Sequence, residues 1–234
     1  MIPIQPEGSS SSKICGIGQI VDGDEARARF WEKKILLWEK TRYSALALTN
    51  PCAWTVRERM RLASRLLVTE FEGCRTVLDF GCGSGYLAHS IIEDARRAYT
   101  GIDFARAAIE SARKRFEIYA PRIRFECKNV FESLREEGQL AVFLGLTDWL
   151  DDCEITRFFE GLAAKRLLFS FSDAEDTFAG VYRRYRRRVD GSFPARSYRK
   201  SEITAAAERG GYCVRSIIRS FRLGPGCLVI ADKK

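Results

Sequence analysis

Asp79, Gly81, Gly83 and Gly85 stand at alternate positions, so a carboxylate sits at the lip of a bend built from residues without a Cβ. The run Val77-Leu78-Asp79-Phe80-Gly81-Cys82-Gly83-Ser84-Gly85-Tyr86-Leu87-Ala88 reads as an apolar strand, a tight turn and a helix start. Alternating glycines let the chain turn sharply and let a bound molecule approach the main chain, with the N–H groups of the new helix facing it. The pattern predicts a cofactor cradle. A dinucleotide fingerprint, Gly-x-Gly-x-x-Gly, would carry its third glycine one residue later than Gly85. Further along, Asp103 ends the short apolar run Tyr99-Thr100-Gly101-Ile102-Asp103. Its spacing from Asp79 suits a carboxylate on ribose hydroxyls, although an aspartate there can equally cap the next helix.

The segment Asp79-x-Gly81-x-Gly83-x-Gly85 resembles, position for position, motif I of the class I S-adenosylmethionine-dependent methyltransferases, Asp/Glu-x-Gly-x-Gly-x-Gly. The resemblance implies S-adenosylmethionine as cofactor. It would be held by Asp79, Gly81, Cys82, Gly83 and Gly85 at the bend, by Asp103 and Phe104 after the second strand, and by Leu146 after the fourth. Asn129 closes a third strand, residues 123–129, where the family places Asp or Asn near the adenine amino group. Val130 would pack on the ring, and the competing reading makes Asn129 a turn former. A fourth run, residues 140–146, leads into Thr147-Asp148-Trp149-Leu150 and looks like the family's motif IV, where acceptor and methyl group meet. Thr147 and Trp149 are therefore acceptor-contact candidates, and Tyr43, Trp54, Arg57 and Arg61 are candidates to contact the acceptor or the methionine carboxylate, from a helical segment that in the family closes over the cofactor. The likeness covers residues 75–234 at the level of pattern. Its tail layout is similar to small-molecule methyltransferases, including those acting on magnesium porphyrins.

Methyl transfer from a sulfonium is an in-line displacement on an activated donor, so alignment and exclusion of water matter more than catalytic side chains. A neutral alcohol or protonated amine would still have to lose a proton, and the one histidine, His89, falls within the helix after motif I. Two options follow. A carboxylate or phenol, with Asp148, Asp173 and Tyr185 as candidates, takes the proton, or the acceptor arrives as an anion. The second option gains from charge. Of the net +8, residues 181–200 carry +7, through Arg183, Arg184, Arg186, Arg187, Arg188, Arg196, Arg199 and Lys200 against Asp190. Arg184 and Arg187 are the candidates for gripping an acidic acceptor, since guanidinium pairs bidentately with carboxylate and phosphate. A solvated helix face explains the same arginines equally well. The reading is O-methylation of a small acidic or hydroxylated metabolite. An RNA methyltransferase ranks second, because nearly all the charge is local and no Asn-Pro-Pro-Tyr-like motif follows the fourth strand, and a non-catalytic cofactor-binding module is the third alternative.

Composition bounds the rest. With 46% hydrophobic and 30% charged residues, 234 residues suit one globular domain with an extension. The longest charge-free stretch, residues 43–56, contains Pro51 and is too short for a membrane span. The first residues have neither a basic start nor an apolar centre, so the expectation is a cytoplasmic protein. Eight cysteines form no Cys-x-x-Cys pair and have one histidine beside them, which argues against a metal site.

These residues need a scaffold that brings strand ends together. From residue 75 onward, apolar runs alternate with amphipathic helices (86–97, 105–119, 152–163), which predicts a Rossmann-like α/β fold: a seven-stranded, mostly parallel sheet with helices on both faces. Ser172-Asp173-Ala174-Glu175 reads as a capping box opening a helix through the arginine cluster. The expected organisation is a flexible tail over 1–24, an N-terminal helical cap over 25–72, and a cofactor-binding domain over 73–234. Oligomeric state is not legible.

Overall fold

In a computed structural model, described over residues 18–43, 51–190, 195–222 and 224–234, the chain builds one seven-stranded sheet. Side chains are described except at 18–26, 51, 52, 185–187, 189 and 190. The strands are β1 (Thr76–Phe80), β2 (Ala98–Asp103), β3 (Ile123–Cys127), β4 (Leu140–Leu144), β5 (Arg166–Ser172), β6 (Tyr212–Arg219) and β7 (Gly226–Lys233). Their order is β3-β2-β1-β4-β5-β7-β6, parallel throughout except for β7, which runs antiparallel to β5 and β6. The order reverses between β1 and β4. In an open parallel sheet a ligand crevice lies outside the carboxyl ends at such a switch point.

Period-two alternation divides the core between the two faces of the sheet. Leu78, Phe80, Ala141, Phe143, Leu167 and Phe169 point to one side, where they meet α5 (Asp152–Gly161) and α7 (Lys200–Arg209) through Ile155, Phe158, Phe159, Ile203 and Ala207. Val77, Leu140, Val142 and Leu168 point to the other, covered by α2 (Pro51–Thr69), α3 (Ala88–Ile92) and α4 (Arg106–Arg115) through Ala63, Leu67, Ala88, Ile91, Ile109 and Ala112. Two more helices, α1 (Gly18–Tyr43) and α6 (Ala179–Asp190), come near the carboxyl ends of the strands.

Residues 25–72, expected as one cap, do two different jobs. Helix α2 is part of a layer packed on the sheet, whereas α1 lies against α2 and α4 and contributes Ile35, Trp31 and Trp38 to a separate small cluster with Phe104, Ala105 and Ala108. Helix α1 also begins at Gly18, inside the stretch expected as tail; residues 1–17 lie outside the described residues. The helix expected over 86–97 contracts to Ala88–Ile92, because the turn carrying Gly81, Gly83 and Gly85 at positive φ continues through Leu87. Ser172 to Glu175 does not cap a helix. Ser172 Oγ is committed to Asp148, Asp173 Oδ1 accepts from the Glu175 N–H two residues on, and Asp173 Oδ2 pairs with Lys200, so α6 starts only at Ala179.

The carboxyl end of α2 is fixed by Arg97, whose buried Nη2 donates to the carbonyls of Leu67 at 2.7 Å and Phe71 at 2.9 Å. Arg97→Ala strands two carbonyl acceptors and opens a gap. A loss of about 2–4 kcal/mol in stability is expected in urea denaturation. Among the described residues, no helix is long and apolar enough to cross a membrane, and no group of three or more His, Cys, Asp or Glu could hold a metal ion.

Candidate active site

The bend after β1 is fixed by its own main chain. Gly81 N–H donates to Ile102 O at 2.8 Å and Gly81 takes φ +74, so the chain leaves β1 over the end of β2. Gly85 has φ +78, and a Cβ there would come 2.7 Å from the Phe125 ring. Only glycine combines that backbone angle with that closeness.

Asp103, at the end of β2, accepts the Gly83 N–H and the Ala105 N–H, each at 2.9 Å, one on each carboxylate oxygen. It therefore ties the bend to the start of α4 and keeps a lone pair on each oxygen for a ligand. Asp79 is buried beneath the bend and accepts the Tyr99 hydroxyl at 2.6 Å. Burial, offset in part by that bond, pushes its pKa up to about 7. Burial likewise raises Asp103, and it raises Glu39, a residue of α1 whose carboxylate accepts the Ser84 N–H at 2.8 Å. Three buried carboxylates thus surround the glycine bend, each costly to ionise without a cation beside it.

A cavity of about 380 Å³ opens beside this cluster. Gly81, Asp103, Phe104, Asn129 and Val130 line one part, and Leu146, Trp149, Tyr182, Thr55 and Arg59 line another, with Trp31, Ile35, Trp38 and Arg42 of α1 completing the wall. Trp149 meets Trp31 edge-to-face with centroids 4.8 Å apart, and Trp31 meets Trp38 at 6.0 Å. The wall is largely aromatic and aliphatic. Helix α1 is tied across it by Arg27, which donates to both Glu154 oxygens at 3.0 and 3.2 Å, and by Glu32, which accepts the Arg106 and Ala107 N–H groups.

Of the residues expected at the cofactor, Gly81, Asp103, Phe104, Asn129, Val130 and Leu146 line the cavity, while Asp79, Cys82, Gly83 and Gly85 form the bend behind it. Asn129 Oδ1 accepts the Phe131 N–H at 3.1 Å, which leaves its NH₂ group as the free donor on that side chain. Trp149 lines the acceptor part, but Thr147 is fully buried and donates to Ser170 O. Asp148 reaches the cavity wall with its carboxylate clamped by Ser172 N–H and Oγ–H. Tyr43 stacks on Tyr86 with centroids 3.9 Å apart, Arg57 holds the carbonyls of Arg42 and Tyr43, and Arg61 pairs with Glu58 on the surface; Trp54 is exposed. Arg184 is exposed on α6, and the side chains of Tyr185 and Arg187 lie outside the described residues. Asp173 bridges to Lys200. His89 is exposed on α3.

Sequence reasoning missed Glu39, Arg59, Tyr182 and the tryptophan wall of α1. One signal was present: Trp31, Ile35, Trp38 and Arg42 recur at helical spacing, with Glu32 and Glu39 beside them two turns apart. Tyr182 sits one turn before the tyrosine that was singled out, and its hydroxyl lies 3.0 Å from Thr55 Oγ1 on α2.

Residues 77–165 match a family model described as a methyltransferase domain. No curated protein matches the sequence. Among solved structures, the chain is similar to magnesium protoporphyrin IX methyltransferase from Synechocystis PCC 6803 with bound SAH, at TM-score 0.74 and 16% identity, over 90% of this chain and 100% of that one. It is also similar to the mitomycin 7-O-methyltransferase MmcR, at TM-score 0.64 and 19% identity, over 84% and 60% of the two chains. A third likeness is to an S-adenosylmethionine-dependent methyltransferase from Clostridium acetobutylicum, at TM-score 0.60 and 11% identity, over 87% and 98%. At such identities these structures speak for the fold. The matched domain spans the glycine bend, Asp103 and the strand ends around the switch point, and with this sheet order it supports reading the chain as a class I S-adenosylmethionine-dependent methyltransferase.

Proposed function

We propose that this chain methylates an oxygen of a small acidic or hydroxylated molecule. The observation that carries the reading is a continuous cavity whose lining includes Asp103 and Asn129 as well as Trp149 and Tyr182, with α1 across it. Such a walled space suits a compact acceptor better than a polymer lying across an open face. The two solved relatives named for small-molecule acceptors, a magnesium protoporphyrin IX and a mitomycin methyltransferase, support the same class.

The residues fit the donor. Asp103 offers one free lone pair per oxygen to the ribose hydroxyls, the Asn129 NH₂ can donate to the adenine, and Val130 and Phe104 supply apolar surface beside it. Glu39, Asp79 and Asp103 give a buried negative region that a donor bearing sulfonium and ammonium charges would neutralise. When bound there, S-adenosylmethionine would supply an electrophilic methyl group on a sulfonium centre. The chain's part is to align and to exclude water, which the wall of Trp31, Trp38, Trp149, Ile35 and Leu146 does. With His89 on the outside and Asp148 clamped by Ser172, an acceptor oxygen that arrives ionised fits best.

The test is incubation of the full chain with methyl-labelled S-adenosylmethionine, a low-molecular-weight metabolite extract and, separately, total RNA. Label is expected in an extractable small molecule. Label on RNA, or donor binding with no transfer to either fraction, would overturn the reading.

A further inference from the structure

Three guanidinium groups line the cavity, and they are not equivalent. Arg27 spends its charge on Glu154, and Arg42 lies over the Trp38 ring at 5.2 Å while donating to Thr41 Oγ1. Arg59, on α2, makes no hydrogen bond or ion pair among the described residues, and its Nε is buried without a partner. Its position is tightly prescribed. Gly145, directly after β4, has φ +86, and a Cβ there would lie 2.8 Å from Arg59 Nη1 and 3.1 Å from Nη2. The missing side chain lets the guanidinium lie over the carboxyl end of β4, next to Leu146 and opposite the β1 bend across the switch point. The cavity it lines is bounded also by Val56, Trp31, Trp149 and Phe171, and by Asp103 and Asp148. Neither aspartate hydrogen-bonds or ion-pairs with Arg59 among the described residues, so its donors are open to an anion from elsewhere.

We propose that Arg59 is the acceptor-recognition residue, binding the carboxylate of an apolar, aromatic acceptor in the part of the cavity bounded by Trp31, Trp149 and Tyr182. The inference rests on the methyltransferase reading for the word acceptor, but the anion site itself does not. The guanidinium fork matches a carboxylate bidentately, and the tryptophans supply faces for a flat ring system. The site therefore selects against the neutral amide of the same acid, which offers Arg59 one carbonyl acceptor and no charge. This places acceptor recognition on α2, inside the fold, instead of on the exposed arginines of α6.

The experiment is calorimetric titration of the full chain, saturated with S-adenosylhomocysteine, using 2-naphthoate and 2-naphthamide as probes. Wild type is expected to bind the acid at least about 10-fold more tightly than the amide, as one charge-assisted pair would give. In Arg59→Gln the preference should vanish while amide binding stays unchanged, Arg59→Lys should restore part of it, and Arg184→Gln should leave it intact. Equal binding of the two probes by wild type, no binding of the acid, or a preference that survives Arg59→Gln would each overturn the proposal. Donor binding measured separately keeps the two claims apart. A chain that binds S-adenosylhomocysteine but does not discriminate the probes loses the role of Arg59 alone, and one that discriminates them through Arg59 but binds no donor loses the methyltransferase reading alone.

Discussion

Asp103→Ala is expected to lower the affinity for S-adenosylmethionine by more than about 100-fold in calorimetric titration. Hydrogen bonds from ribose hydroxyls to a charged acceptor contribute about 1.5–3 kcal/mol each, and two of them account for that loss. The same change removes the acceptor of the Gly83 and Ala105 N–H groups, so the bend loses its tie to α4. Thermal unfolding should report a fall of about 2–4 kcal/mol in the unliganded protein, from two buried donors left unanswered. The control is Gly73→Ala, at a glycine with no heavy atom within 4 Å of an added Cβ, which should leave donor affinity unchanged. Donor affinity within threefold of wild type in Asp103→Ala would mean that the carboxylate only holds the loop and never meets the ribose.

Asp79→Asn carries the second large effect, and its sign changes between stability and function. Burial lifts the Asp79 pKa from the ordinary 3.8 to about 7, so between those values the folded protein holds a proton that the unfolded chain releases. Its contribution to stability is complete below about pH 4 and disappears as pH rises through 7. At pH 8 the wild type therefore buries a carboxylate at a cost of at most about 4 kcal/mol, by the free-energy equivalent of that shift. Asparagine keeps an acceptor for the Tyr99 hydroxyl and carries no charge. The variant should be more stable than wild type at pH 8 by about 1–3 kcal/mol after its own buried amide is allowed for, and the difference should close towards pH 4. Donor binding should move the other way, weakening roughly 10-fold or more, since one of the charges facing the sulfonium and ammonium groups is gone. Denaturant titrations at pH 4, 6 and 8 with parallel donor titrations decide it. A stability difference independent of pH would show that Asp79 is ionised at no cost in the native fold.

This opposition between stability and binding has a structural basis. The bend is kept with three buried carboxylates around it although burial makes each costly to ionise in the unliganded fold, a cost that a cationic ligand would offset on binding. Glu39 gives the arrangement a link to α1. Its carboxylate sits on Ser84 N–H while Ile35, Trp31 and Trp38 of the same helix wall the cavity, so the helix that shields the site also contributes to its charge.

The parts legible in the sequence are those that local chain physics dictates. Alternating apolar positions gave β1, β4 and β5 their two buried faces, and the glycines at 81, 83 and 85 all take positive φ, with Gly85 also pressed against the Phe125 ring. Asp103 was marked by its spacing from Asp79 and Asn129 by the family resemblance, and both stand at strand ends, which the alternation of strands and helices brings together in a parallel sheet. Tertiary structure decided what the side chains meet. Glu39 reaches Ser84 from 45 residues away, Tyr182 reaches Thr55 across 127, and Arg59 lies over a glycine on a different element. Periodicity says which face of a helix is buried but not which strand end or loop it is buried against, because that choice is made by packing all the layers at once. Glu39 and Glu32 of α1, which no motif in the sequence singled out, thus became caps on the bend and on α4, and Arg59, between the two candidates Arg57 and Arg61 on α2, became one of the cations in the cavity wall.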